Sequence, residues 1–108
     1  AATQALREER RERRCPTLSR IAKATAKQFG TSVADLRSPS RRRAVVTPRN
    51  VAMYLARNLM ETSLDQIGAY FGNRDHTTVA HGCQKVEERL EFDPAVREAV
   101  AELQAKLL

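Results

Sequence analysis

The sequence predicts an all-α fold: a single compact helical domain with a helix-turn-helix, preceded by a polar linker helix. Three observations carry this. Apolar residues recur at the helical period in one segment after another, and nowhere alternate with the period of two that marks a half-buried strand. The segments are bounded by N-cap residues, Gly and Pro, the usual start and stop signals of helices. A length of 108 residues with 42% hydrophobic content supports one core, and is too short for a nucleotide-hydrolysing core plus a second module.

In chain order, residues 1–15 hold strong helix formers with almost no apolar face and read as a linker helix or tail from a preceding domain. Pro16 breaks this stretch, and the helix-turn-helix domain is expected over 16–108. Thr17 caps a segment in which Leu18, Ile21, Ala22 and Phe29 keep the helical period until Gly30 stops it. Ser32 to Leu36 adds a short helix with Val33 and Leu36 as core plugs, and a loop is expected from Arg37 to Val46. Thr47-Pro48 predicts the next start, because Pro at the first helical position loses no needed hydrogen bond. Val51, Leu55 and Leu59 line one face of that helix, which ends near Met60. Ser63-Leu64-Asp65-Gln66 has the form of a capping box. It opens a short helix that buries Leu64, Ile67 and Phe71 and ends at Gly72-Asn73, residues that accept a left-handed turn. Asp75 caps the following helix, whose core stripe is Val79, Cys83, Val86 and Leu90. Asp93-Pro94 starts the closing helix, with Val96, Val100, Leu103 and Leu107 inward.

Charge is split along the chain. The net charge is +6, but residues 1–57 carry +10 and residues 58–108 carry −4. Six arginines (Arg37, Arg41, Arg42, Arg43, Arg49, Arg57) and no acid lie between Leu36 and Met60. Such a field suits a polyanion, either nucleic acid or an anionic membrane surface. No apolar run approaches a membrane span of ~18–20 residues, and Ala1 to Leu6 lacks a secretory-signal pattern. Five aromatics and no Trp argue against a stacking-rich single-strand binder. Cys15 and Cys83 give no disulfide framework and no zinc knuckle, so a reduced, cytoplasmic setting is expected. His76, His81 and Cys83 are close in sequence, but His81 and Cys83 lie roughly 200° apart around a helix and form no tetrahedral set. No phosphate-binding Gly-rich loop and no activated nucleophile is present, so no enzyme activity is expected of this chain.

The segment around Gly72 is a helix-turn-helix candidate: a short capped helix, a tight turn and a longer amphipathic helix. In that motif the first residues of the second helix meet base edges in the major groove. Here those residues are Asp75, His76, Thr77 and Thr78, preceded by Arg74. With the core stripe turned inward, Thr77, His81, Gln84 and Lys85 face outward. Asp accepts from the cytosine amino group, a Thr methyl touches the thymine methyl, and Arg or Lys pairs with guanine or phosphate.

Arg74-Asp75-His76-Thr77-Thr78-Val79, followed by His81 and Cys83, resembles the signature of the C-terminal DNA-binding domain of the DnaA family of bacterial chromosomal replication initiators. Asp35-Leu36, the arginine loop, Thr47-Pro48-Arg49 with Val51-Ala52-Met53, and Ser63-Leu64-x-x-Ile67-Gly68 with Phe71-Gly72 are similar to that domain in the same order. The resemblance covers about Thr17 to Leu90. It implies double-stranded DNA binding at short, non-palindromic origin boxes by a monomer, with replication initiation in the bacterial nucleoid as the setting. It also implies that ATP belongs only to the ATPase region of a full-length initiator, with no cofactor in this chain and with multi-copy assembly arising outside it. By position, Arg41 enters the minor groove and Arg43 contacts the backbone nearby. Asp75, His76 and Thr77 read bases, while Arg49, Asn50, Thr78 and Lys85 hold phosphates. Arg57 stands where the family often has Lys. Asp65 stands where some members have a Pro that touches a thymine, Asn73 replaces a common Gly, and Gln84 sits where a basic residue is frequent. The other reading is a basic helical module acting as a transcription regulator or an RNA- or protein-interaction domain.

Overall fold

The computed structural model describes residues 16–108, in six helices and no strand among the described residues. The polar helix expected over 1–15 lies outside the described residues. Helix α1 spans Leu18–Phe29, α2 Val33–Leu36, α3 Arg43–Leu59, α4 Leu64–Tyr70, α5 His76–Phe92 and α6 Pro94–Leu107. The predicted caps explain most of these boundaries. Thr17 accepts from the Arg20 amide, Ser32 from Asp35, and Ser63 from Gln66, whose side chain returns the bond in a full capping box. Gly30 ends α1 in the left-handed conformation at φ 70°. Asp93 closes α5 and opens α6: its Oδ1 accepts from the Ala95 and Val96 amides, and its Oδ2 accepts from Arg89 at 2.8 Å.

One boundary differs from expectation. α3 begins at Arg43, not at Thr47-Pro48, so Pro48 is its sixth residue and lies inside the helix. The Arg42 carbonyl accepts from the Val45 and Val46 amides, which closes a turn ahead of the Thr-Pro pair. Val45 is 2% exposed. Burying that side chain recruits the preceding residues into the helix and outweighs the hydrogen bond that Pro48 forgoes. The arginine loop is therefore shorter than its sequence suggests, and Arg43 is the first residue of a helix.

α3 is the central element, packed against α1, α2, α4, α5 and α6. The core joins Ile21, Leu36, Val51, Leu55, Ile67, Phe71, Val79, Cys83, Val86, Val96, Val100, Leu103 and Leu107, all buried. Leu18, Phe29, Val33, Leu59, Leu64 and Leu90 pack half-buried around it. Ala52, Met53 and Ala56 also lie inside, since α3 is surrounded and one apolar stripe is not enough for it. No described helix is long and apolar enough to cross a membrane.

Candidate nucleic-acid interface

The turn between α4 and α5 aims the second helix. Gly72 at φ 87° and Asn73 at φ 56° reverse the chain in the left-handed region, which Asn tolerates better than other side chains. The Arg74 amide then donates to the Gly68 carbonyl at 2.9 Å, tying the turn back to α4. Asp75 caps α5 by accepting from the Thr78 amide at 2.8 Å. That hydrogen bond, first among several, holds the Asp75 carboxyl below its ordinary pKa. His76, Thr77 and Thr78 are all exposed in the opening turn, with His81 and Lys85 exposed further along the helix.

α5 lies close against α3 at Gly82. A Cβ there would stand 2.6 Å from the Asn50 Oδ1 and 2.9 Å from the Met53 Cε. The missing side chain thus leaves Asn50 seated in the seam between the two helices. A groove runs along that seam, lined by Val46, Asn50, Thr78, His81 and Lys85 among others. It adjoins a depression bordered by Pro39, Ser40, Arg41, Gly72, Arg74 and Thr78. On its other flank is a cleft bordered by Arg41, Arg43, Asn50, Lys85 and Arg89. Arg41 belongs to both outer depressions, so the loop and the opening turn of α5 frame one continuous concave strip.

The arginines around this strip have two fates. Arg41 and Arg43 are exposed, and their side chains make no hydrogen bond or ion pair among the described residues; the same holds for Lys85. Arg49, expected on phosphate, is instead 4% exposed. Its Nε donates to the Leu36 carbonyl at 2.9 Å and its Nη2 to the Ser38 carbonyl at 2.9 Å and the Asp35 carbonyl at 3.4 Å. The reason is geometric: the planar guanidinium fork matches a turn of converging carbonyls, of which that of Leu36 has no other donor among the described residues. Arg74 is half-buried and donates to the same Ser38 carbonyl at 3.0 Å and to Phe71. Burial pushes both guanidinium pKa values down, and for Arg49 the neighbouring Arg74 charge adds to that.

The remaining expected residues lie apart from the strip's centre. Arg57 is exposed in the last turn of α3, beside the Cys83 thiol. Burial raises the Cys83 pKa, with Arg57 opposing it. Asp65 is exposed in the first turn of α4, with its Oδ1 3.5 Å from the His76 Nδ1. Cys83 is buried and His81 exposed, and no group of three or more His, Cys, Asp or Glu side chains among the described residues is placed to hold a metal.

Two participants carry no strong sequence signal. Arg37 donates from Nε to the Tyr70 carbonyl at 2.8 Å and lies 4.4 Å from the Tyr70 ring centroid, pinning the loop's start to the end of α4. Arg89 donates to the Thr47 Oγ1 at 3.1 Å and pairs with Asp93, joining α5 to the start of α3. Only the Arg89–Asp93 spacing, four residues on one helix face, hints at its role beforehand.

A short capped helix, a left-handed turn and a second helix whose opening turn borders a cation-lined strip define the class: a helix-turn-helix domain. The chain belongs to the bacterial dnaA protein helix-turn-helix family, whose model matches residues 18–86. It is 43% identical over 90 residues to a chromosomal replication initiator protein DnaA of Lactobacillus delbrueckii subsp. bulgaricus, spanning 83% of this chain and 20% of that protein. The corresponding protein of Oenococcus oeni is 44% identical over 91 residues, again with 20% of its length covered. A solved structure described as a DNA replication initiation factor superposes with a TM-score of 0.74 at 32% identity, covering 95% of this chain and 31% of that one. The chain thus spans about a fifth of the length of the curated relatives it matches.

Proposed function

We propose that this chain is a sequence-reading module for double-stranded DNA at replication-origin boxes. In this reading the opening turn of α5 enters the major groove, where Asp75, His76 and Thr77 meet base edges. Arg41 reaches into the adjacent minor groove, where a narrow A·T-rich stretch has an enhanced negative potential. Thr78, Asn50, Arg43 and Lys85 contact phosphates and fix the register. Arg49 and Arg74 contribute from behind by shaping the loop that presents Arg41. The chain binds as a monomer; ATP binding and multi-copy assembly belong to other regions of a full-length initiator.

The observation that carries the reading is the continuous strip shared by Arg41 and the first turn of α5. A second feature supports it. Arg41, Arg42 and Arg43 crowd the N-terminus of α3, and Arg42 supplies no side-chain cap. The positive end of the helix dipole repels cations, so this arrangement is unfavourable until an anion arrives. Relatives named as replication initiators give the proposal its setting.

The test is fluorescence anisotropy of the purified chain with duplex origin-box DNA, scrambled duplex and RNA at several salt concentrations. Preference for the box supports the proposal, and equal affinity for all three overturns it in favour of an unspecific basic module. Arg41→Ala is expected to weaken binding to an A·T-containing box more than to a G·C-substituted one. Uniform loss across both would demote Arg41 to a phosphate anchor.

A further inference from the structure

The first turn of α3 follows directly on the arginine loop and has little of its own to hold it. Arg42 stands at the N-cap with no side-chain hydrogen bond, whereas Thr17, Asp75 and Asp93 cap α1, α5 and α6 through their side chains. Pro48 has no N–H to give to the Ala44 carbonyl one turn back. Three consecutive arginines crowd the positive end of the helix dipole. Two contacts from outside compensate. Val45 is buried, and the Arg89 Nη1 of α5 donates to the Thr47 Oγ1 at 3.1 Å. Thr47 follows Arg43 by four residues and so shares its face of α3. Both border the cleft that Arg41, Lys85 and Arg89 also line.

We propose that Arg89 is a positioning residue that sets the base-pair spacing this domain accepts. By tying α3 to α5 through Thr47, it fixes the distance between the loop arginine in one groove and the opening turn of α5 in the next. The inference deepens the duplex-reading function proposed above and rests on it.

Arg89 suits this task because it is itself held. Its Nη2 donates to the Asp93 Oδ2 at 2.8 Å, while the Asp93 Oδ1 accepts from the Ala95 and Val96 amides at the start of α6. The guanidinium is therefore fixed to the corner between α5 and α6. Because the fork is planar, anchoring one of its nitrogens dictates where the other must find its acceptor. That acceptor is on α3, 42 residues away in the chain. The loop ahead of α3 is tied to the helix-turn-helix at two further points. Arg37 donates to the Tyr70 carbonyl of α4, and Arg74 to the Ser38 carbonyl. Start, middle and end of the arginine segment are thus all referred to the helices of the reading motif. One base pair advances duplex DNA by about 3.4 Å and turns it by roughly a tenth of a revolution. A segment free to shift by that amount would accept boxes one base pair longer or shorter, and a braced one does not.

The experiment uses the whole chain and duplexes in which one base pair is inserted or removed at each step of the box in turn, read by anisotropy. The wild type is expected to lose about tenfold in affinity or more when the change falls between the two groove contacts, as for a lost base contact. Thr47→Val, which keeps the shape and removes the acceptor, should shrink that penalty to about threefold. Arg89→Met should do the same, and the double variant should loosen the spacing no further than either alone. Thr47→Ser, which keeps the hydroxyl, should retain the wild-type penalty to within about twofold. Hydrogen exchange of the free protein gives a DNA-independent readout. The Val45 and Val46 amides, which donate to the Arg42 carbonyl, should exchange about three- to tenfold faster in Thr47→Val and at the wild-type rate in Thr47→Ser. An unchanged spacing penalty in Thr47→Val, or a wild type that tolerates the extra base pair, overturns the inference and leaves duplex reading standing. So does an Arg89→Met that keeps the penalty and lowers the salt slope by about one, which would make Arg89 a phosphate contact. Equal binding of the wild type to box, scrambled duplex and RNA overturns the functional proposal and this inference with it.

Discussion

The inner and outer sides of the arginine loop are written in the same residue type and used in opposite ways. On the inner side, Arg49 and Arg74 converge on the Ser38 carbonyl and spend their guanidinium groups on the protein's own backbone. On the outer side, the Arg41 and Arg43 side chains make no hydrogen bond or ion pair among the described residues, and neither does the Lys85 side chain across the seam. The difference teaches that a run of like charge is not one functional unit. Two cations are consumed in building a loop, and the ones they hold in place remain available to an outside anion.

The sharpest way to break this comparison is Arg49→Ala. It leaves the Leu36 carbonyl without its donor and the Ser38 carbonyl with Arg74 alone, and chemical denaturation should show a loss of about 2–4 kcal/mol. Arg41→Ala and Lys85→Ala should each change stability by less than about 0.5 kcal/mol, as surface substitutions do. If Arg49→Ala were as stable as those two, the inner arginine would not be structural.

A second expectation concerns the face proposed to read bases. Thr77→Ala should lower discrimination between box and single-mismatch duplexes by about 1–3 kcal/mol, the worth of a base contact. Unchanged selectivity in a competition assay would remove Thr77 from the reading set. Lys85→Ala comes next: it should weaken binding to all duplexes alike and reduce the slope of log affinity against log salt by about one. An unaltered slope would exclude a phosphate contact.

The smallest effect is acid-dependent and belongs to the cap. The Asp75 pKa is depressed below its ordinary value of 3.8 in the folded chain, chiefly by the Thr78 amide. Its contribution to the start of α5 is therefore fully present above pH 3.8 and lost as pH falls through the lower folded value. Amide NMR shifts of the opening turn, followed from neutral pH into acid, should show that turn loosening in this window. Asp75→Asn, which also caps well, should hold it to lower pH.

The sequence speaks plainly where structure depends on near neighbours. Ser63 and Gln66 form their capping box whatever lies beyond them, and Asp75 and Asp93 cap by the same local geometry. The helical spacing of Val79, Cys83 and Val86 is a property of one segment and correctly identifies its buried side. The exposed turn of His76, Thr77 and Thr78 follows from that stripe by subtraction.

Tertiary structure decided what depends on partners distant in the chain. Thr47-Pro48 is a sound local start signal, but burial of Val45 moved the helix start to Arg43. No pattern within the arginine run distinguishes Arg41 from Arg49. Which guanidinium turns inward is settled by where the turn at 35–38 presents its carbonyls, and that turn is placed by the packing of α2 against α1 and α3. The meeting of Asp65 with His76 is likewise invisible along the chain, because it requires the left-handed turn at Gly72-Asn73 to fold α5 back across the start of α4. Hydrogen bonds and apolar stripes within a helix are encoded by spacing, whereas the fate of a long charged side chain is fixed by the carbonyls and carboxylates that the finished fold puts within its reach.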